Sequence, residues 1–419
     1  MSDYPPEPDE ALAETDLVAP KARSGWALVV VLESGPIERS LEAPCELVLG
    51  RAAGVDVTVD HASVSRQHAR IVLREAATIE DLGSSNGTRV DGRRLDRGQV
   101  AYVHAGSVVE LGDVLLLLRP PQLDLAGGAE RGSGVGSEMA RAFELATAAG
   151  RSSLNVYVSG EAGSGRRWLA SRIREASPRA ATTWLAFDCA GASAAAVSGT
   201  SEALPGILEQ AAGGMLLIHD VHLLETPAQR ALQVALANRS ASRLDGSVSV
   251  ALDLRIIATS TVTAKELRAN PAFDTSLASQ LAGIAIEIPP LRRRRGEIRH
   301  LAETSLREAP RRGLVLSDGA LGRLLLDEWP GNVALLRDVV LRAASTARTN
   351  EIRAEDIVFP DADGVPVESA ADKERARLVI ALELCAGNQT KAAEMLGISR
   401  RTLVNRLNQL DLPRPRKGA

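Results

Sequence analysis

VSGEAGSGRRWLA, residues 158–170, decides how the middle of this chain folds. An apolar run, NVYVSG, leads into glycines 160, 163 and 165, and an amphipathic stretch, RRWLASRIREA, follows. The spacing G-x-x-x-x-G from Gly160 to Gly165, at the mouth of a helix, is that of a phosphate-binding loop. Successive backbone N–H groups there point at an anion, and the helix dipole favours it. Such a loop ordinarily closes on Lys and then Ser or Thr. Here those positions hold Arg166 and Arg167. Arg keeps the charge but replaces a compact ammonium by a planar fork, which is not a conservative exchange.

Outward from the loop, strand and helix patterns alternate: MARAFELATAA, WLAFD, MLLIHD, AQRALQVALAN, LRIIATS, IAIEIPP. That alternation predicts a parallel sheet with helices on its faces over 137–290. Residues 291–358 read as helices only. Before the α/β segment, residues 25–121 carry short β-type runs (ALVVVLE, CELVLG, ARIVLR, ATIEDL, VVELGDVLLLL) separated by turn signals such as SSNG and VDGR, the pattern of a β-sandwich. The stretches 122–136 and 359–371 read as linkers, 1–24 as a disordered acidic tail, and 372–419 as helical again. The chain is thus multidomain: all-β, then α/β with a helical lid, then all-α.

Composition sets outer bounds. The 419 residues are 45% hydrophobic but only 3% aromatic, so the cores must be built from Ala, Val, Leu and Ile. Formal net charge is −4, a near-neutral total that leaves room for local basic patches. Cys45, Cys189 and Cys385 share no metal or disulfide spacing. The N-terminus lacks the pattern of a secretion signal, and no run approaches the roughly 18 apolar residues of a membrane span. A cytoplasmic protein with no membrane partner is expected.

Four blocks in the N-terminal segment carry a specific resemblance: Gly50-Arg51, Ser65-Arg66-Gln67-His68, Ser85-Asn86-Gly87-Thr88 and Val90-Asp91-Gly92. In that order and spacing they resemble a forkhead-associated (FHA) domain, a sandwich that binds phosphothreonine peptides through loops at one end. A phosphate dianion calls for charge-assisted donors, and Arg supplies a fork of them. By the resemblance, Arg51 and Ser65 bind phosphate, Arg66 assists, and Ser85 and Asn86 hold the loop and the peptide. His68 is read as a brace for the loop. Asp91 departs from the usual Asn.

GEAGSGRR, GGMLLIHDVHLL, LRIIATS, IPPLRRRRGEI and WPGN, in order over about 200 residues, resemble the AAA+ domain of the sigma-54-dependent enhancer-binding activators. The resemblance implies a P-loop ATPase fold with a lid. Gly160, Gly163, Gly165, Arg166 and Arg167 would then meet nucleotide. The departures concern one mechanism. His219 replaces the Asp that helps place Mg²⁺, and Asp220 stands for the water-activating Glu. Taken alone, His219 and His222 around Asp220 suggest a metal, but a strand would point them to opposite faces. FDTSLASQL puts Asp274 and Gln280 at the two arginine-finger positions, and Ala334 takes the place of the lid Arg, with Arg337 one turn on. The segment 190–212 contains no G-A-F-T-G-A loop for the sigma factor. These losses predict a domain that binds ATP weakly, with or without Mg²⁺, and hydrolyses it poorly. LRRRR at 291–295 reads as a solvated basic face.

GNQTKAAEMLGISRRTLVNRL, residues 387–407, resembles the helix-turn-helix of the Fis family. Thr390 and Ser399 are read as caps of its second and third helices, Gly397 as the turn between them, and Leu403 and Leu407 as its inward face. Thr390, Ser399, Arg400, Arg401, Thr402, Asn405 and Arg406 are the candidate DNA contacts. From 371 onward ten basic side chains face five acidic ones, an electrostatic footprint for double-stranded DNA. Expected partners are DNA, a phosphothreonine-containing protein, RNA polymerase and further copies of the chain. The leading reading is a transcription regulator. The rivals are an active ATP-driven sigma-54 activator and a phosphopeptide-binding scaffold with vestigial DNA binding.

Overall fold

A computed structural model describes residues 26–119, 135–359 and 375–412, apart from positions 33–34, 75, 105–106, 202, 247–248, 376–377, 383–384, 386, 397 and 411. The acidic tail, nearly all of both linkers and Gly397 lie outside the described residues. The first segment has eleven strands: β1 (Trp26–Leu32), β2 (Gly35–Leu41), β3 (Cys45–Gly50), β4 (Val57–Thr58), β5 (Ala69–Leu73), β6 (Ala77–Asp81), β7 (Thr88–Val90), β8 (Arg93–Arg94), β9 (Val100–Val103), β10 (Val108–Leu111) and β11 (Val114–Arg119). They form two sheets, β2-β1-β11-β10-β7-β8 and β4-β3-β5-β6-β9. Their inner faces close on Leu28, Val30, Leu49, Ile71, Ile79, Val109, Leu111 and Leu116. This is the expected sandwich.

The α/β segment comprises α1 (Val135–Arg151), β12 (Val156–Ser159), α2 (Arg166–Glu175), β13 (Trp184–Asp188), α3 (Ala194–Ser198), β14 (Gly199–Ser201), β15 (Leu204–Pro205), α4 (Ile207–Ala211), β16 (Met215–His219), α5 (Thr226–Asn238), β17 (Ser240–Ser242), β18 (Ser249–Ala251), β19 (Arg255–Ser260), α6 (Ala264–Ala269), α7 (Thr275–Leu281) and β20 (Ile284–Glu287). The main sheet runs β13-β16-β19-β12-β20, and its neighbours pair in parallel. α1 starts at Val135, so the last two positions of the expected linker are already helix.

The lid holds α8 (Ile298–Glu308), β21 (Val315–Leu316), α9 (Asp318–Leu325), α10 (Asn332–Thr346) and β22 (Glu351–Ile352). The helices-only expectation for 291–358 needs correcting, because β21 and β22 pair in parallel. Two-residue strands are too short to leave a periodic signal. The C-terminal unit has a helical segment α11 (378–382), α12 (Gln389–Leu396) and α13 (Arg400–Gln409). Leu326 of the lid shares its core with Leu378, Ala392, Leu403 and Leu407. A Cβ on Gly322 of α9 would stand 2.9 Å from Met395, so the glycine lets α12 approach.

The β1 and β11 runs, WALVVVL and VLLLLR, do not alternate with polar residues because both faces are buried. One face fills the sandwich. On the other, Val29, Val31, Leu115 and Leu117 pack with Met139, Ala142, Leu145 and Ala146 of α1. On the same outer face Glu110 is fully buried. It accepts from Ser153 N at 2.8 Å and from Ser153 Oγ at 2.9 Å, and Arg89 Nη1 lies 3.7 Å away. The sandwich is therefore docked on the α/β domain through a shared apolar core with a charged staple. Glu110→Ala removes the acceptor for two donors and strips Arg89 of its partner, an expected loss of about 2–3 kcal/mol. In denaturant titrations the wild type is expected to unfold sandwich and α/β domain in one transition, and the variant in two.

Candidate functional sites

Arg166 opens α2 and turns inward, where it is buried. Its Nη1 donates to Asp220 Oδ1 at 2.5 Å. Asp220 follows β16 in a left-handed conformation, φ 50°. The contact joins the group in the lysine position to the carboxylate of the acidic motif. A charge-assisted pair in partly dry surroundings is strong, so the cation expected to meet a phosphate is already neutralised. Arg167 stays near the surface, 3.7 Å from Asp188.

His219 Nδ1 lies 2.5 Å from Thr259 Oγ1, and the His222 ring nitrogens lie 3.0 and 3.1 Å from the hydroxyls of Ser260 and Thr261. The two imidazoles do not point to opposite faces of one strand. β16 ends at His219, and a 3-10 turn, Val221–Leu223, brings His222 to the end of β19 as well. Burial holds both imidazoles below their usual value, so both are neutral at pH 7. Among the described residues no group of three or more His, Cys, Asp and Glu could hold a metal. Mg²⁺ demands hard oxygen ligands. A neutral His219 and a cationic Arg167 where the oxygens belong do not fit it.

The LRRRR stretch is a solvated face only in part: Arg293 is exposed, but all four arginines have partners and Arg294 is buried. Arg292 forms a fork on Glu161 at 2.9 and 2.6 Å, and Arg293 meets Glu138 at 2.5 Å. Arg294 is buried and donates to Ser164 O at 2.8 Å, while Arg295 meets Glu328 at 2.7 Å. Asn332 adds bonds of 3.0 Å to Glu161 Oε2 and Ala162 O. The Arg292 hydrogen bonds hold the Glu161 carboxyl below its usual range. A Cβ on Gly163, φ 73°, would stand 2.2 Å from Gly331 O, so only glycine lets the lid press this close. Ala334 donates its backbone N–H to Gly163 O at 3.3 Å. Arg337 turns away to Glu308 on α8, at 2.9 Å, and does not replace the missing lid Arg. The loop keeps one feature of an anion cradle: Ser164 Oγ is buried without a partner.

Of the expected finger positions, Asp274 caps α7, accepting from Leu277 N at 2.7 Å, whereas Gln280 uses only its backbone carbonyl, accepting from Asn155 Nδ2 at 2.9 Å, and its side-chain Oε1 is buried without a partner. Where the sigma-contacting loop belongs, α3 and α4 flank the short hairpin β14–β15.

At one end of the sandwich Arg51, Ser63, Ser65, Arg66, Gly83, Ser85 and Asn86 line a depression of about 680 Å³. All five expected phosphopeptide residues meet there. Ser65 Oγ accepts from Ser85 N at 3.0 Å, which leaves its own proton to donate, and Asn86 Nδ2 is tied to Ser63 O at 2.7 Å. His68 is fully buried, accepting from Ser65 N at 3.0 Å with its other nitrogen 3.3 Å from Gly87 O. A Cβ on Gly50 would stand 2.2 Å from Arg66 O, which explains the glycine. Asp91 accepts from Val108 N at 2.9 Å and from Ser107 Oγ at 3.0 Å, one bond on each carboxylate oxygen, and so holds its turn.

Sequence reasoning passed over Asp81. Buried at the end of β6, it accepts from Gly83 N and Ser84 N at 2.8 Å and from the Ser84 and Thr88 hydroxyls at 2.7 Å. The signal is an Asp two residues before a Gly-Ser turn, in Asp81-Leu82-Gly83-Ser84.

In the C-terminal unit Ser399 caps α13, accepting from Thr402 N at 3.1 Å, and Thr402 Oγ1 lies 2.8 Å from Ser399 Oγ. Leu403 and Leu407 are fully buried, while Arg400, Arg401 and Asn405 are exposed and Arg406 is half-buried. Ser399 to Thr402 thus share the start of α13, and Asn405 and Arg406 lie further along it, Arg406 in its last turn. Thr390 stands apart on α12 and is not its cap. Asn388 Oδ1 takes that place, accepting from Thr390 N and Lys391 N at 3.1 and 3.3 Å.

Four family profiles match in the order of these units: FHA domain over 47–112, Sigma-54 interaction domain over 133–287, AAA+ ATPase lid domain over 292–371, and Bacterial regulatory protein, Fis family, over 369–410. Response regulator protein PilR of Pseudomonas aeruginosa is 31% identical over 342 residues, 74% of this chain and 76% of that protein. The Nif-specific regulatory protein of Klebsiella pneumoniae is 29% identical over 69% of this chain, and the match spans 60% of that protein's length. The solved structure of NtrX from Brucella abortus in complex with ADP superposes with a TM-score of 0.55 at 22% identity, over 69% of this chain and 70% of that one. The fold joins an FHA domain, an AAA+ domain with its lid and a Fis-type helix-turn-helix in one chain. The chain belongs to the sigma-54-dependent enhancer-binding family. No helix among the described residues is long and apolar enough to cross a membrane.

The Asp81 staple yields a pH signature. Burial pushes its carboxyl up, but four donors outweigh this and bring it to about 2, from 3.8. A depressed carboxylate stabilises the fold above its unfolded value and stops doing so as pH falls through the folded one. A contribution of about 2 kcal/mol, complete near neutrality, is expected to fade between about pH 4 and 2. Asp81→Asn should unfold more easily at pH 7, and its deficit should close towards pH 2 in denaturation followed across pH.

Proposed function

We propose that this chain is a cytoplasmic DNA-binding transcription regulator that reads a phosphothreonine partner through its FHA domain and retains its AAA+ domain as a nucleotide-binding scaffold without efficient hydrolysis. The observation that carries the reading is the Arg166–Asp220 pair, which consumes the loop cation and the remaining acid of the second motif in one contact. Arginine fingers are worth about 10³–10⁵ in rate, and the positions that would supply them hold Asp274 and Gln280. The loop glycines and the unpartnered Ser164 hydroxyl support residual binding of the phosphates of ATP. The stretch 190–212, where the β14–β15 hairpin lies, lacks the G-A-F-T-G-A string, which supports action on RNA polymerase through DNA occupancy.

Arg51, Ser65 and Arg66 converge as phosphate donors, with Ser85 and Asn86 holding the loop. At the other end the first turns of α13 enter the major groove, Arg400 and Asn405 reading base edges while Arg401, Thr402 and Arg406 meet phosphate. A pair of copies would match two half-sites.

Genomic footprinting of the wild type is expected to return discrete enriched sites. Arg400→Ala should cost about 1–3 kcal/mol and relax sequence preference, whereas Arg401→Ala should weaken all DNA alike and lower the salt slope by about 1. Absence of enriched sites would favour the scaffold reading.

A further inference from the structure

The phosphothreonine depression is ringed by more positive charge than one phosphate needs. Beyond Arg51 and Arg66, the chain after the recognition loop brings Arg93, Arg94 and Arg97 to the surface, all exposed. Two of them lie directly on that loop. A Cβ on Gly87 would stand 2.7 Å from Arg94 Nε and 2.9 Å from Arg94 Nη2. A Cβ on Gly83 would stand 2.8 Å from Arg97 Nε, and Gly83 lines the depression together with Arg51, Ser65 and Arg66. Elsewhere in the sandwich arginines find carboxylates, Arg70 at Glu46 and Arg89 at Glu110. Among the described residues, none of Arg51, Arg66, Arg93, Arg94 and Arg97 forms such a pair.

A dianion offsets about two guanidiniums. The remaining charge raises the local concentration of anionic partners and repels cationic ones. We infer that the site takes phosphothreonine peptides with acidic residues beside the phosphothreonine, and that Arg94 and Arg97 determine this specificity by pairing with the flanking carboxylates. The inference rests on the phosphothreonine reading and adds the flanking chemistry to it. The substitutions should leave the pocket standing, because both side chains are exposed and neither supports the loop as Asp81 and His68 do.

A suitable probe lies in the chain's own sequence. Residues 8–22 carry Thr15, the single threonine among the first 25 residues, with Asp9, Glu10, Glu14 and Asp16 around it. A labelled peptide of this sequence phosphorylated at Thr15, and a second with its four carboxylates amidated, are titrated by fluorescence anisotropy into the full chain. Arg51→Ala and the Arg94→Glu/Arg97→Glu variant are titrated alongside. The acidic phosphopeptide is expected to bind about tenfold tighter than the amidated one, the scale of two or three exposed ion pairs together, and the gap should shrink in high salt. The double charge reversal should erase the gap, with a smaller loss for the amidated phosphopeptide, whose one remaining anion is the phosphate. Equal binding of both phosphopeptides by the wild type, or a gap that survives the reversal, would overturn the specificity inference and leave the phosphothreonine site intact. Failure of either phosphopeptide to bind, or undiminished binding by Arg51→Ala, would instead overturn the phosphothreonine reading itself.

Discussion

The loop at 160–165 is held by charge from within and from above, and the modules are arranged around that fixed point. Within, Arg166 is spent on Asp220. Above, Arg292 and Asn332 of the lid converge on Glu161, Arg294 reaches Ser164 O, and Gly331 presses on Gly163. From the sandwich, Glu110 fixes Ser153, three residues ahead of the strand that feeds the loop. The helix-turn-helix in turn packs on the lid through Leu326 and Gly322. A loop that opens and closes on a nucleotide needs its lid held lightly. Here the lid contacts are short and numerous, and those of the buried Arg294 and Asn332 are costly to break because they would leave buried polar groups without partners.

That arrangement changes the meaning of the motif departures. Each one alone, Arg for Lys or His for Asp, describes a weaker ATPase. In the structure these positions make internal contacts: Arg166 pairs with Asp220, Asp274 caps a helix, and Ala334 donates its backbone N–H to the loop. The second apolar face of β1 and β11 fits the same picture. It fastens the sandwich to α1, so a ligand at the sandwich loops meets one continuous core rather than a hinged arm.

Much of this was legible in the sequence. Short β-type runs between Gly, Asn and Asp turns point to the sandwich, and Gly160, Gly163 and Gly165 between a strand and a helix point to the loop, because those signals are local. The misses were tertiary. An Arg run looks the same whether it is solvated or paired, and only the fold brings Glu161 and Ser164 to it. Asn388 and Thr390 are both able to cap, and two residues decide which one stands before the first turn. The expectation for His222 fails because the strand stops at His219, where the left-handed Asp220 ends it. The unalternating VVVL and VLLLL did signal burial on both faces. What lay against the second face was not in the strands themselves.

The central claim is that the loop keeps the shape of a phosphate site without the work of one. The direct measurement is ATP binding at equilibrium beside steady-state hydrolysis, on the full chain over a concentration range that permits oligomers, with DNA and phosphopeptide as stimulants. The account predicts measurable binding and no turnover above that of a Gly165→Asp variant. Turnover on the order of 1 s⁻¹ or faster, lost in that variant, would contradict it and make Arg166 and Asp220 working parts of an engine.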